Sequence, residues 1–156
     1  MGNFSLDIRK WVEKTKGDTD EVVRRVLQQV GDALLESSPV GDREKWAINA
    51  GRKEAGLPLL PPGYVGGRFK GNWQLGVDEP VTGTLPDIDP GGTASKARMM
   101  AAIPQQAAGP RYFIVNNLSY AKRLEEGWSR QAPSGMVALT VVRFQGIVDE
   151  VVRNIK

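Results

Sequence analysis

Neither cysteine nor histidine occurs anywhere in the 156 residues. Without thiols there are no disulfides and no thiolate nucleophile. Without imidazole the commonest general base and a main zinc ligand are missing as well. No apolar run approaches the ~20 residues that a bilayer-spanning helix needs. The opening Met1-Gly-Asn-Phe-Ser-Leu lacks the continuous apolar core of a signal peptide, and Leu6 stands where a myristoylation signal needs Ser or Thr. The expectation is a protein made and used in the cytoplasm, or in particles assembled there. Charge of one sign is scarce too. The net charge is +3, with Lys and Arg scattered among acids, which is the pattern of a solvated surface rather than a binding block.

What is present suits one globular domain covering residues 1–156. A chain of this length buries roughly two-thirds of its unfolded surface, and 40% hydrophobic with 25% charged residues is ordinary for that class. Phe4, Ile8, Trp11, Val12 and Thr15 recur at helical spacing, with Ser5 or Asp7 as a cap. Gly17-Asp18 then predicts a break, and Asp18 with Glu21 reads as a capping box opening a second helix. Val22, Val23, Val26, Leu27, Val30, Ala33 and Leu34 give that helix its apolar stripe, and Ser37-Ser38-Pro39 ends it. A weaker helix is expected over 42–55, with Trp46 and Ala50 on one face.

Between Gly56 and Gly67 three prolines and four glycines forbid regular structure, yet Leu57, Leu59, Leu60, Tyr64 and Val65 are too apolar for a slack linker. A packed loop, or an arm lying on a neighbour, fits better. Trp73, Leu75 and Val77 alternate with Gln74, Gly76 and Asp78 as in a half-buried strand. Pro80 to Gly92 reads as a long hairpin connection. Thr93 caps a short helix with Ala97, Met100 and Ala101 on one face, stopped by Pro104. Tyr112 to Val115 is a short, partly β-branched run that reads as a buried strand, broken by Asn116-Asn117. Ser119 caps a short helix carrying Tyr120 and Leu124 on one face, and Gly127 stops it. A long final helix places Val137, Thr140, Val141, Phe144, Val148, Val151 and Ile155 on its buried stripe, with Gly146 a mild weakness. No internal repeat is visible. The fold class is α+β: a small antiparallel sheet packed by N-terminal helices and a long C-terminal helix.

Three segments carry a resemblance: Asn116-Asn-Leu-Ser-Tyr-Ala121, Leu124-Glu-Glu-Gly-Trp-Ser129 and Gln131-Ala-Pro-Ser-Gly-Met136. Together with Ser38-Pro-Val40 and Gly67-Arg-Phe-Lys-Gly-Asn-Trp73, and in the same order, they resemble the neck or tail-completion proteins of long-tailed bacteriophages. The likeness covers most of the chain. The departure is an insertion at about 41–66, where that family has a short link. The resemblance implies a structural virion protein that completes the head-proximal end of the tail and joins tail to head, with no reaction and no cofactor. It implies a homo-oligomeric ring, hexamer or dodecamer, closed by heterologous contacts. Its partners would be tail terminator, tail tube or head-closure and connector proteins. DNA would pass through the lumen unread, no membrane would be involved, and assembly would take place in the host cytoplasm.

In such a ring Leu57, Leu59, Leu60, Tyr64 and Val65, with Trp128, Arg130 and Met136 of the second loop, are the expected oligomer or neighbour contacts. Arg68, Lys70, Lys122 and Arg123 are the expected DNA-facing cations. The rival reading is a basic nucleic-acid-binding module, joining those four cations to Lys96, Arg98 and Arg130, with Trp73 and Trp128 as stacking surfaces. A net charge of +3 gives that reading little electrostatic drive. Trp73 and Trp128 suit core packing or an interface equally, since Trp and Arg are enriched at interface hot spots.

Enzymatic readings are thinner. Glu125-Glu126 and Asp149-Glu150 supply carboxylates, but neighbours on a helix do not share a face, so surface acids at helix ends are expected. Asp87-Ile-Asp89-Pro-Gly-Gly92 lacks the later ligands and closing Glu of a calcium loop, so a solvated turn is expected. Gly66 to Gly71 has glycines and two cations but no Walker pattern.

Overall fold

In a computed structural model that describes residues 2–155, with side chains from residue 17 onward, six helices surround one two-stranded antiparallel sheet. The α+β expectation holds. Helix α1 spans Gly2–Ser37 without a break. Gly17 and the capping signals after it lose to continuation. One glycine inside a helix costs only about 1 kcal/mol, and Ile8, Thr15 and Val22 are each seven residues apart, so one helical phase serves both sides. The cap and side-chain stripe expected between Phe4 and Thr15 lie outside the residues whose side chains are described.

After α1 come a 3-10 turn (Arg43–Lys45), α2 (Ala47–Glu54) and a one-turn α3 (Arg68–Gly71). The chain continues through β1 (Trp73–Val77), α4 (Thr93–Ala101), β2 (Tyr112–Asn116), α5 (Ala121–Glu125) and α6 (Val137–Asn154). The expected helix over 42–55 is thus split. Trp46 has extended backbone at the junction and caps α2 instead of lying on its face.

The two strands pair from Trp73 with Asn116 to Val77 with Tyr112. Their connection is no simple hairpin, because it contains α4. Its first part folds back over β1, so the Gln74 and Gly76 side of the strand is buried too, and the expected half-exposed alternation is absent. Gly76 lies so close to Glu79 and Val81 that any side chain there would collide with backbone.

Leu34 and Leu35 of α1, Phe69, Trp73, Leu75, Met99, Leu118 and Met136 form the core. Trp73 is only 3% exposed, and its indole N–H donates to the Ser38 hydroxyl at 2.7 Å. Phe69 packs edge-on against it, with ring centroids 5.8 Å apart. The Ser-Pro-Val segment after α1 is thereby pinned to the first strand.

Helix α4 turns inward by Ser95 and Met99, not by the expected Ala97 and Ala101, which are exposed. Thr93 provides no side-chain cap. Asp89 does the anchoring: its buried carboxylate accepts from the Gly92 N–H at 3.0 Å and from both the N–H and hydroxyl of Ser95 at 2.8 Å. The expected solvated turn is therefore a buried knot. Arg98 completes it by donating to Asp87 at 2.8 Å and to the Gly71 carbonyl at 2.7 Å. No helix among the described residues is long and apolar enough to cross a membrane.

Burial alone would raise the Asp89 carboxyl, but the hydrogen bonds from Ser95, Gly92 and Ala94 outweigh it and hold it below the usual carboxylate value. A depressed folded-state pKa contributes stability in full above the unfolded pKa, about 4, and that contribution is lost as pH falls through the folded value. The melting temperature should accordingly drop on acidification below about pH 4. Asp89→Asn should cost about 1–3 kcal/mol at neutral pH and flatten that part of the acid dependence. A variant curve running parallel to wild type from pH 7 to 3 would place the acid sensitivity elsewhere.

Candidate functional site

Two loops that are far apart in sequence meet across one cleft. One wall is the segment from Pro39 through the start of α2, joined by Tyr64 from the Pro/Gly-rich arm. The other comprises the start of α3, the α5 residues Tyr120 and Leu124, and the loop from Trp128 to Gln131. The space between them is about 1250 Å³. Side-chain amides hold the walls in place. Gln131 pairs with both backbone groups of Val40: the Val40 N–H donates to Oε1 at 3.1 Å, and Nε2 donates to the Val40 carbonyl at 2.8 Å.

The arm is fixed by the same device. Asn49 is fully buried; its Nδ2 donates to the carbonyls of Arg43 and Leu60 at 2.7 Å, and its Oδ1 accepts the Leu60 N–H at 2.8 Å. Arg43 and Arg52 add bonds to the carbonyls of Pro61 and Pro58. Tyr64 packs on Trp46 with centroids 4.7 Å apart, and Gly41 lies so close that a methyl group there would overlap the Tyr64 hydroxyl. The packed-loop half of the sequence expectation therefore describes the arm's backbone.

The opposite wall is set by a helix stop. Gly127 adopts φ +86, while the Trp128 N–H bonds to the Arg123 carbonyl and the Gly127 N–H to that of Leu124, a Schellman ending. That turn leaves Trp128 71% exposed with the Arg123 guanidinium 5.2 Å from its ring centre. Tyr120, not Ser119, occupies the N-cap position of α5, without a side-chain cap bond. It lies 6.2 Å from Phe69, and burial pushes its phenol upward in pKa.

Of the expected contact residues, Tyr64, Trp128 and Arg130 line the cleft, joined by the cation Arg68. Leu57 and Val65 are exposed on the arm at 51% and 60%, whereas Leu59 and Leu60 are half-buried against their own chain. Met136 must be withdrawn: at 1% exposure it is core, because its backbone enters α6 directly beneath Glu125. The expected DNA-facing set does not form one patch. Lys122 and Arg123 are exposed on α5, but Lys70 lies beside Asp32, Gly92 and Lys96 in a separate small hollow. The wider nucleic-acid set loses its stacking Trp73 to the core, Arg98 to the Asp87 knot and Lys96 to a 2.8 Å pair with Asp32.

Sequence placed Trp46 only on a helix face and gave Asn49 and Gln131 no such ties. Asn49 reaches Leu60, 11 residues on, and Gln131 reaches Val40 across 91 residues, and no local pattern signals such pairs. The acids also resolve differently than expected. Glu126 is an exposed surface acid, but the Glu125 carboxylate accepts the N–H groups of Met136, Val137 and Ala138 at 2.9–3.0 Å and so caps α6 from another helix. No group of three or more acidic ligands that could hold a metal ion is present among the described residues. Neither a family model, nor a curated protein sequence, nor a solved structure matches the chain.

Two substitutions separate these roles. Asn49→Ala strands three backbone groups and should cost about 1–3 kcal/mol, with new proteolytic cleavage between Leu57 and Val65. Unchanged cleavage would show that the prolines alone order the arm. Glu125→Ala should destabilise by about 1–2 kcal/mol, while Glu126→Ala stays within about 0.5 kcal/mol, both read from denaturant midpoints.

Proposed function

We propose that this chain is a structural virion protein of the phage neck, completing the head-proximal end of the tail and joining tail to head as a ring. The observation that carries the reading is the make-up of the cleft. One wall consists of the segments that resemble the tail-completion family, from Gly67-Arg-Phe and Tyr120 to Gln131. The other wall is Pro39 and Val40 of the resembling Ser-Pro-Val segment, continued by residues 41–50 and Tyr64 of the insertion. Trp128 on the first wall is 71% exposed and Tyr64 lines the second, with Leu57 and Val65 exposed elsewhere on the arm. Held in place by buried amides, they form a surface that gains by association with little ordering cost.

The role is assembly rather than catalysis: identical subunits meet through two different surfaces and close by rotation. The partners in this reading are the same chain, in six or twelve copies, and the tail terminator, tail tube or head-closure proteins next to it. DNA passes without base contacts, and the place of action is the virion neck. A second reading, single-strand binding, draws on the exposed Trp128 stacked with Arg123 and on Arg68 and Arg130 within the cleft.

Light scattering and negative-stain imaging of the purified chain should show closed rings. Trp128→Ser, and separately Leu57→Ser with Val65→Ser, should abolish rings or docking onto tails while leaving monomer stability within about 0.5 kcal/mol per site. Intact rings in both variants would sink the reading. Saturable, salt-sensitive binding of single-stranded DNA that Trp128→Ser removes would favour the second one.

A further inference from the structure

A second surface shares no lining residue with the cleft. Between α1 and α6 runs an open apolar groove of about 720 Å³, walled by Val22, Val26 and Val30 on one side and Val141 and Phe144 on the other, with Ile114 among its lining residues. The final helix was expected to bury this stripe. Thr140 and Val151 are buried as expected, and Val148 and Ile155 are half-buried, but Val137, Val141 (66%) and Phe144 (46%) are exposed. We infer that this groove receives the first turns of α1 from a second copy of the chain.

The unbroken α1 supplies the first reason. A helix of 36 residues is about 54 Å long. Along it, positions 4, 15 and 26 recur every eleven residues, as do 8, 19 and 30, and 11, 22 and 33. Eleven residues are close to three turns, so Phe4, Ile8 and Trp11 continue, in phase, the stripe that forms one groove wall at Val22, Val26 and Val30. A stripe of this kind needs an apolar partner surface of helical length. The segment and that groove's wall belong to one unbroken helix, so the partner surface must come from another copy.

Charge supplies the second. Residues 2–16 carry four cations (Arg9, Lys10, Lys14, Lys16) and two acids (Asp7, Glu13), a net +2. Residues 17–37, which hold the groove wall, carry five acids (Asp18, Asp20, Glu21, Asp32, Glu36) and two cations (Arg24, Arg25), a net −3 that Lys96 of α4, paired with Asp32, reduces to −2. Parallel, in-register pairing sets like against like. A staggered or antiparallel pairing sets the basic segment of one copy along the acidic half of another, the orientation that long-range attraction favours. The inference concerns self-association alone and does not rest on the neck reading or on the cleft.

The cysteine-free chain makes the contact directly testable. Full-length Ile8→Cys is mixed with isotopically labelled Val141→Cys under mild oxidant, and disulfide-linked peptides are identified by mass. A dominant interchain link from position 8 to position 141, weakened by added salt, is expected. Val141→Asp, at a site already exposed, should raise the dissociation constant for self-association about tenfold or more without lowering the melting temperature. The proposal is overturned by linkage no greater than to a control Glu54→Cys, by an 8–141 link found only within one chain in the double variant, or by a chain that stays monomeric throughout. Trp128, Leu57 and Val65 are untouched, so failure here and failure of the ring reading are told apart.

Discussion

The interaction on which the rest depends is a side-chain amide pairing with both backbone groups of one distant residue. Asn49 does this to Leu60, Asn72 to Leu85 and Gln131 to Val40. Each gives a loop residue what a neighbouring strand would have given it, one acceptor and one donor side by side. The regular sheet has only two strands of five residues, so long stretches of backbone have no ladder to join. Buried peptide groups must nonetheless be satisfied. Asn49 and Asn72 are fully buried, and each donates both amide N–H groups, one to its paired loop residue and one to the carbonyl of Arg43 or Arg68. The loops are therefore fixed parts of the architecture, and the two cleft walls can hold exposed apolar groups at defined positions.

How much of this was legible follows from the range of each interaction. Both strands were readable, since Trp73, Leu75 and Val77 and the run from Tyr112 announce themselves locally. So was Gly127 as a helix stop, because the left-handed turn it makes is a one-residue property. The break at Gly17 was a misreading, because local capping signals were weighed without the phase shared by Ile8, Thr15 and Val22. Burial was harder. Periodicity marks an apolar stripe on α6, but what covers a stripe is decided elsewhere, and Val137, Val141 and Phe144 of this one are left exposed by their own chain.

The candidate site shows the same division. Apolar residues among prolines and glycines pointed to the arm, and Trp128 beside Gly127 pointed to the second loop. That the two face each other could not be read, because Val40 and Gln131 are 91 residues apart. Met136 was misplaced for a related reason. A small-residue loop suggests a surface, and only the Glu125 carboxylate, which draws in the start of α6, makes that stretch core. Acids thought idle, Asp89 and Glu125, turn out to be the anchors of two helices.

The distance between Val40 and Gln131 has a consequence for how a subunit becomes usable. Other ties share its span: the Ala108 N–H on Asp20, and Arg24 on the Pro104 carbonyl, reach 88 and 80 residues. Contacts of such separation form late, after local helices and turns. During synthesis the Pro39 to Tyr64 wall emerges long before the loop that closes it. A chain stalled or clipped before residue 131 would lack the Gln131 amide that ties the facing wall to Val40. On the assembly proposed above, only a chain whose last third has folded back onto its first would offer both walls to a neighbour.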